Sequence, residues 1–200
     1  MRILVTGGCG FIGSHLVRHL INQNNFEVLN LDALTYAGNE ANLSDIQNQD
    51  SYSFVNSNIR DRTAINEIFS SFRPNCVFHL AAETHVDRSI DSPDEFIQTN
   101  VVGTSVLIEE ADRWRNSLSA EERDTFRFVH ISTDEVYGSL ESGSAKPFVE
   151  TSPLNPNSPY AASKAAADHL VRAWFKTYGL PTITVNCTNN YGPYQFPEKL

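Results

Sequence analysis

A glycine-rich turn set between a short strand and a helix constrains the fold of this chain more than any other feature. The run Leu4-Val5-Thr6-Gly7-Gly8-Cys9-Gly10-Phe11-Ile12-Gly13-Ser14 joins an apolar strand to an amphipathic stretch. Gly7, Gly10 and Gly13 stand three apart. In that spacing one glycine makes the tight turn, one lets backbone approach a pyrophosphate, and one lets the helix pack closely on the strand. A phosphate would sit on the helix N-terminus, where unpaired N–H groups and the helix dipole favour an anion. The same spacing also serves plain tight connections, so its context decides. A second strand, Glu27 to Leu31, ends in Asp32, an acid about 20 residues after the turn, where a carboxylate accepts from both ribose hydroxyls and repels a 2′-phosphate. No arginine immediately follows it. The expected cofactor is NAD rather than NADP.

Apolar runs bounded by turn residues recur at Arg2 to Thr6, Glu27 to Leu31, Tyr52 to Asn56, Cys76 to Leu80, Phe126 to Ser132 and Thr182 to Asn186. Such runs suit parallel strands covered on both faces. Helical patterns lie between them at Ile12 to Gln23, Arg62 to Phe72, Asp94 to Trp114 and Pro159 to Tyr178. The last has Ser158 to cap it, Pro159 at its first position and Gly179 at its end. Alternation of strand and helix predicts an α/β Rossmann fold, a doubly wound parallel sheet with right-handed crossovers. Two long stretches rich in Gly, Pro, Asn and Ser, Asp32 to Ser51 and Ser139 to Asn157, fall at the carboxyl ends of strands, where such a fold binds its ligand.

Composition narrows the partners. At 200 residues and 40% hydrophobic content the chain can bury a real core. A net charge of −9 and no Lys/Arg cluster argue against nucleic acid or an anionic membrane. No run approaches the roughly 18 apolar residues of a membrane span, and no signal peptide precedes the first strand, so a cytoplasmic location is expected. Cys9, Cys76 and Cys187 lie in or beside apolar strands and are expected to be small buried thiols without a disulfide or metal site.

Two constellations carry chemistry. Tyr160 and Lys164 stand one helical turn apart and share a face, either as a structural pair or as a phenol acidified by an ammonium. Bringing a tyrosine from about 10 towards neutrality needs about 4 kcal/mol, which one cation about 4 Å away supplies at an effective dielectric near 20. The run Ile131-Ser132-Thr133-Asp134-Glu135-Val136-Tyr137-Gly138 stands where the fifth strand ends. In a continuing strand Asp134 and Glu135 would face opposite ways, so the backbone must leave strand geometry for both to meet one substrate. Otherwise they form a solvated acidic turn. Converging in unlike surroundings, they could serve as a protonated acid and an ionised base.

With the glycine turn, Asp32, Thr133, Tyr160 and Lys164 in order, the chain resembles the extended short-chain dehydrogenase/reductase family, and within it the nucleotide-sugar 4,6-dehydratases. The likeness extends through Leu34 to Asn39, His79 to Ser89, Ser132 to Gly138, Ser158 to Leu170 and Asn186 to Pro193. Its most specific element is Thr133-Asp134-Glu135, because related epimerases and decarboxylases usually lack the aspartate. The resemblance implies NAD-dependent dehydration of dTDP-glucose to its 4-keto-6-deoxy product. The alternatives are UDP-glucose as substrate, or a non-catalytic NAD-binding fragment. By the same resemblance Tyr160, assisted by Lys164 and Thr133, is the base at the sugar 4-hydroxyl, Glu135 takes the C5 proton, and Asp134 protonates the departing C6 hydroxyl. Implied cofactor contacts are Phe11, Ile12, Asp32, Ala33, Leu34, Thr35, Ile59, Leu80, Ala81, Ala82, Thr99 and Asn190, with Gly7, Gly10, Gly13, Tyr160 and Lys164. Implied substrate contacts are Thr84, Thr133, Asn189, Lys199 and Leu200. Asn58 stands where the family commonly has an aspartate; its amide carbonyl can still accept from the adenine amino group, without charge assistance. The family continues beyond Leu200, so residues 1 to 200 are expected to be an NAD-binding Rossmann domain lacking the part that grips the nucleotide. Such a piece is expected to bind NAD with little turnover, and a homodimer is expected of the full-length protein.

Overall fold

The computed structural model describes residues 1–140 and 146–197. Six strands, β1 (Arg2–Thr6), β2 (Glu27–Asp32), β3 (Tyr52–Asn56), β4 (Cys76–His79), β5 (Arg127–Thr133) and β6 (Thr182–Cys187), form one sheet in the order β3-β2-β1-β4-β5-β6. Every neighbouring pair is parallel. The predicted doubly wound sheet is the one observed, with strand ends differing by a residue. The order reverses between β1 and β4, and this opens a crevice at the carboxyl ends of those strands.

Helices cover both faces. Helix α1 (Phe11–Asn22) and α2 (Arg62–Phe72) follow β1 and β3, and α7 (Pro159–Tyr178) precedes β6. One buried layer contains Leu4, Leu31, Val77 and Phe128 packed under Ile65, Leu107, Phe126 and Val171. The opposite layer contains Ile3, Val5 and Val28 under Val17, Leu20, Ile21, Leu43 and Ile46. Leu43 and Ile46 show that the first long loop is not bare coil: a short 3₁₀ turn, Glu40–Leu43, capped by the Asn39 side chain, tucks its apolar residues beneath α1.

The predicted helix over Asp94 to Trp114 is interrupted. The chain runs as α3 (Val86–Asp91), α4 (Pro93–Phe96), a π-helical segment Ile97–Gly103, and then α5 (Thr104–Ser117). The π segment frees Asn100 from the regular ladder. Its buried amide accepts from Glu83 N–H at 2.8 Å, donates to Glu83 C=O at 2.9 Å, and donates to Ser163 Oγ on α7 at 2.8 Å. The sequence reading also lacked α6 (Ala120–Thr125), although Ser119 and Glu122 form a reciprocal capping box legible in the sequence.

Candidate active site

The glycine turn is shaped by lack of space. Gly7 has φ of 75°, and a Cβ there would lie 2.6 Å from Ala81 N; a Cβ on Gly13 would lie 2.1 Å from Gly7 O. A side chain at Gly10 would meet only Gly7 O, at 3.5 Å. Gly10 also caps α1 without any side-chain hydrogen bond, so the first-turn N–H groups point at the crevice. Asp32 closes the turn from β2. Its Oδ2 accepts from Cys9 N–H at 2.9 Å and its Oδ1 from Leu34 N–H at 2.8 Å. Burial pushes the Asp32 carboxyl up, and these two backbone bonds pull it partly back. Leu34 reaches its position with φ of 52°, a left-handed conformation costly for leucine.

These groups open onto a cavity of about 480 Å³ lined from the glycine turn to the last described residues, within the range usual for a small-molecule site. Of the expected residues it brings together Gly7, Gly10, Phe11, Ile12, Gly13, Asp32, Ala33, Thr35, Asn58, Ile59, Leu80, Ala81, Ala82, Thr84, Thr99, Thr133, Glu135, Tyr160, Lys164, Asn189 and Asn190. Leu34 and Asp134 are not in the lining. The Leu34 side chain packs on the core while its N–H holds Asp32. Lys199 and Leu200 lie outside the described residues. Tyr36, Glu83, Ser132, Cys187 and Phe196 also line the cavity and were not expected there. Tyr36 sat in view in the loop after Asp32. Its ring takes the Arg88 guanidinium at 3.8 Å and meets Phe196 edge-on, contacts no local pattern announces.

At the far end, β5 stops at Thr133, and Asp134–Tyr137 turns into a 3₁₀ helix. The backbone thus leaves strand geometry where the paired acids required it to. Thr133 caps this turn by accepting from Glu135 N–H at 3.3 Å and donates to Asp134 Oδ1 at 3.4 Å. Tyr160 enters from the first turn of α7, where Ser158 caps Ala161 N–H and Ser89 Oγ receives Tyr160 N–H at 3.1 Å. Its phenol shares a hydrogen bond with the Thr133 side chain.

Three of the expected residues stand in surroundings the sequence does not show. Burial first, then the Glu135 charge, push the Tyr160 phenol above its ordinary value. Lys164 donates to Ile131 C=O at 2.7 Å, and its burial brings the ammonium down to about 8. The Asn58 carbonyl already accepts from Arg60 N–H at 2.9 Å and Arg60 Nε at 3.2 Å, so an adenine amino group would compete for an occupied acceptor. Finally, Cys187 is a half-buried thiol in the cavity wall, whereas Cys9 and Cys76 are buried as expected, with thiols pushed up by burial to about 12 and about 11. Among the described residues no cluster of His, Cys, Asp and Glu is placed to hold a metal ion. Nor is any described helix long and apolar enough to cross a membrane.

The parallel sheet in this strand order, with a glycine turn and an acid at the end of β2, defines a dinucleotide-binding α/β protein with a short-chain-dehydrogenase Tyr/Lys pair. The chain belongs to the GDP-mannose 4,6 dehydratase family, whose pattern matches residues 4–200. It is 56% identical over 207 residues to a dTDP-glucose 4,6-dehydratase of Escherichia coli, covering 100% of this chain and 57% of that protein. A dTDP-glucose 4,6-dehydratase of Neisseria meningitidis is likewise 56% identical over 199 residues. The crystal structure of the Streptomyces venezuelae dTDP-glucose 4,6-dehydratase with NAD and TYD bound superposes with a TM-score of 0.88 at 48% identity, over 99% of this chain and 59% of that one. The Thermus thermophilus UDP-glucose 4-epimerase complex with NAD follows at 0.85 and 35%. The chain spans little more than half the length of these relatives.

Proposed function

We propose that this chain is the cofactor-binding and catalytic part of an NAD-dependent dTDP-glucose 4,6-dehydratase. The observation that carries the reading is the turn at the end of β5: Thr133 and Glu135 line one cavity with Tyr160, and Asp134, between them, is held by the Thr133 hydroxyl at 3.4 Å at the edge of that lining. An epimerase or a simple dehydrogenase needs the tyrosine; loss of water from the neighbouring carbon needs an acid and a base as well. The relatives named for dTDP-glucose support the substrate over UDP-glucose.

The residues present fit NAD. Gly7 and Gly13 let the turn close on its own backbone, where a Cβ would clash, and Gly10 leaves the open end of α1 bare for a pyrophosphate. The Asp32 carboxyl, anchored by two N–H groups, retains lone pairs for ribose hydroxyls. When bound, NAD supplies a hydride acceptor and returns the hydride at the end of the cycle. Tyr160 takes the proton of the sugar 4-hydroxyl as its phenolate, a form that burial disfavours and that the positive charge of bound NAD would favour, and the Thr133 hydroxyl orients its oxygen. The C4 ketone acidifies the C5–H. Glu135 then removes that proton, while Asp134 gives one to the departing C6 hydroxyl, which leaves as water. Lys164, Thr84 and Asn189 complete the walls around the hexose. We further place the protein in the cytoplasm as a homodimer with a nucleotide-sugar substrate and no nucleic-acid partner, in keeping with its net charge of −9.

The test is to give the NAD-loaded gene product carrying this chain dTDP-glucose and UDP-glucose in parallel and to assay the 4-keto-6-deoxy product. Product from dTDP-glucose in preference to UDP-glucose is expected. Preference for UDP-glucose overturns the substrate, and oxidation without loss of water overturns the reaction.

A further inference from the structure

Four residues beyond Lys164 on the same face of α7 stands Asp168, a second buried charged side chain at 9% exposure against 4% for Lys164. Its Oδ2 accepts from Ser132 Oγ at 2.9 Å and from Asn186 Nδ2 at 3.3 Å. Asn186 also donates to Thr133 C=O at 3.2 Å. Lys164 grips Ile131 C=O, so the two charged groups of α7 hold successive residues at the end of β5, just before the catalytic turn. A buried ammonium with only a carbonyl partner is costly, and an opposite charge nearby offsets that cost.

Among the described residues, the groups around the ammonium leave one candidate for that charge. His79 on β4 and His130 on β5 are held neutral by burial, His79 well below its ordinary value and His130 down to about 4, even though His130 Nε2 sits 3.2 Å from Asp168 Oδ1. The Cys187 thiol on β6 is pushed up by burial. Asp134 and Glu135, on the 3₁₀ turn, bear on the Tyr160 phenol. Glu83 faces Glu95, Arg88 and Arg60. We propose that Asp168 is a positioning residue, which supplies the buried Lys164 ammonium with its counter-charge and ties that lysine to the Thr133 turn. Its consequence for turnover rests on the dehydratase reading of Tyr160 and Lys164; the charge pairing itself does not.

The pairing is measured without substrate or cofactor. The chain has four lysines, Lys146, Lys164, Lys176 and Lys199, so ¹³C-labelled lysine gives few Cε resonances to titrate, and Lys164→Arg assigns the buried one. Wild-type Lys164 should titrate near 8. In Asp168→Asn the midpoint should fall by about one pH unit or more, about tenfold in acid dissociation. Ser132→Ala removes a donor to the carboxylate but keeps its charge, and should leave the midpoint within about half a unit. An unmoved midpoint in Asp168→Asn, or an equal fall in Ser132→Ala, overturns the proposal. Should Asp168→Asn not fold, Asp168→Glu decides: the retained charge should hold the midpoint within about half a unit, and a fall of about one unit contradicts it. In turnover, the alkaline limb of the rate profile should move to lower pH in Asp168→Asn and return in Asp168→Glu. Failure of substrate turnover would refute the dehydratase reading and leave these midpoints untouched.

Discussion

The two ends of the cavity are built by different means. At the β1–α1 end, shape comes from backbone against backbone: Gly13 lies where a Cβ would strike Gly7 O, and Asp32 is gripped by two main-chain N–H groups. At the β5–β6 end, shape comes from side chains drawn from distant parts of the chain, as Ser132, Asp168 and Asn186 converge behind Thr133, and Lys164 reaches Ile131. The first end can be built only by particular residues at fixed local spacing. The second depends on which strands become neighbours. One end is suited to holding a ligand, and the other to holding protons in chosen places.

The comparison breaks if the ends cannot be disabled separately. Tyr160→Phe should show the largest effect, removing the phenol that takes the first proton while leaving the glycine cradle intact. Substrate oxidation should fall by about 10⁴-fold, with NAD affinity held within about fivefold, since one neutral hydrogen bond contributes only about 1 kcal/mol. Rapid mixing at the reduced-nicotinamide absorbance reads the first quantity and calorimetry the second. Asp134→Asn comes next. An amide cannot donate the acid proton, so oxidation at C4 should persist while loss of the C6 hydroxyl slows by about 10²- to 10⁴-fold. An unchanged dehydration rate would remove Asp134 from the chemistry.

Acid should attack the β4–β5 side of the core. His130 titrates down at about 4 in the fold, against an ordinary 6.5. Its contribution is fully present above 6.5 and is lost as the pH falls from there through about 4, because the unfolded chain takes up the proton first. The loss amounts to about 3 kcal/mol, and His79 acts in the same direction. Urea unfolding at pH 7 and pH 4 checks it: His130→Gln should flatten the difference, and a variant as acid-sensitive as the parent contradicts it. Asp32→Ala is the mildest change, weakening NAD by about 1.5 to 3 kcal/mol through loss of a charge-assisted hydrogen bond and narrowing the preference over NADP.

The same difference explains how legible each end was in the sequence. Gly7, Gly10, Gly13 and Asp32 announce themselves because their roles are set by spacing along one βαβ unit. The six strands were readable for a similar reason, each being a short apolar run. Tyr160 and Lys164 could be paired by helical spacing, yet their charge relation could not be read, because Ile131 and the burial of both groups belong to the assembled sheet. Asn100 escaped notice because it works through a π-helical break inside a stretch with continuous helical pattern. Asp168 was hidden as one more polar residue on α7, and only the pairing of β5 with β6 brings Ser132 and Asn186 to it.

The central claim is that the glycine cradle and Asp32 make an NAD site independent of the catalytic turn. Calorimetric titration of this chain with NAD and with NADP tests it most directly. NAD should bind at one site per chain, and NADP at least about tenfold more weakly, as expected for a 2′-phosphate brought against the Asp32 carboxylate. No binding of NAD, or equal or tighter binding of NADP, would contradict it.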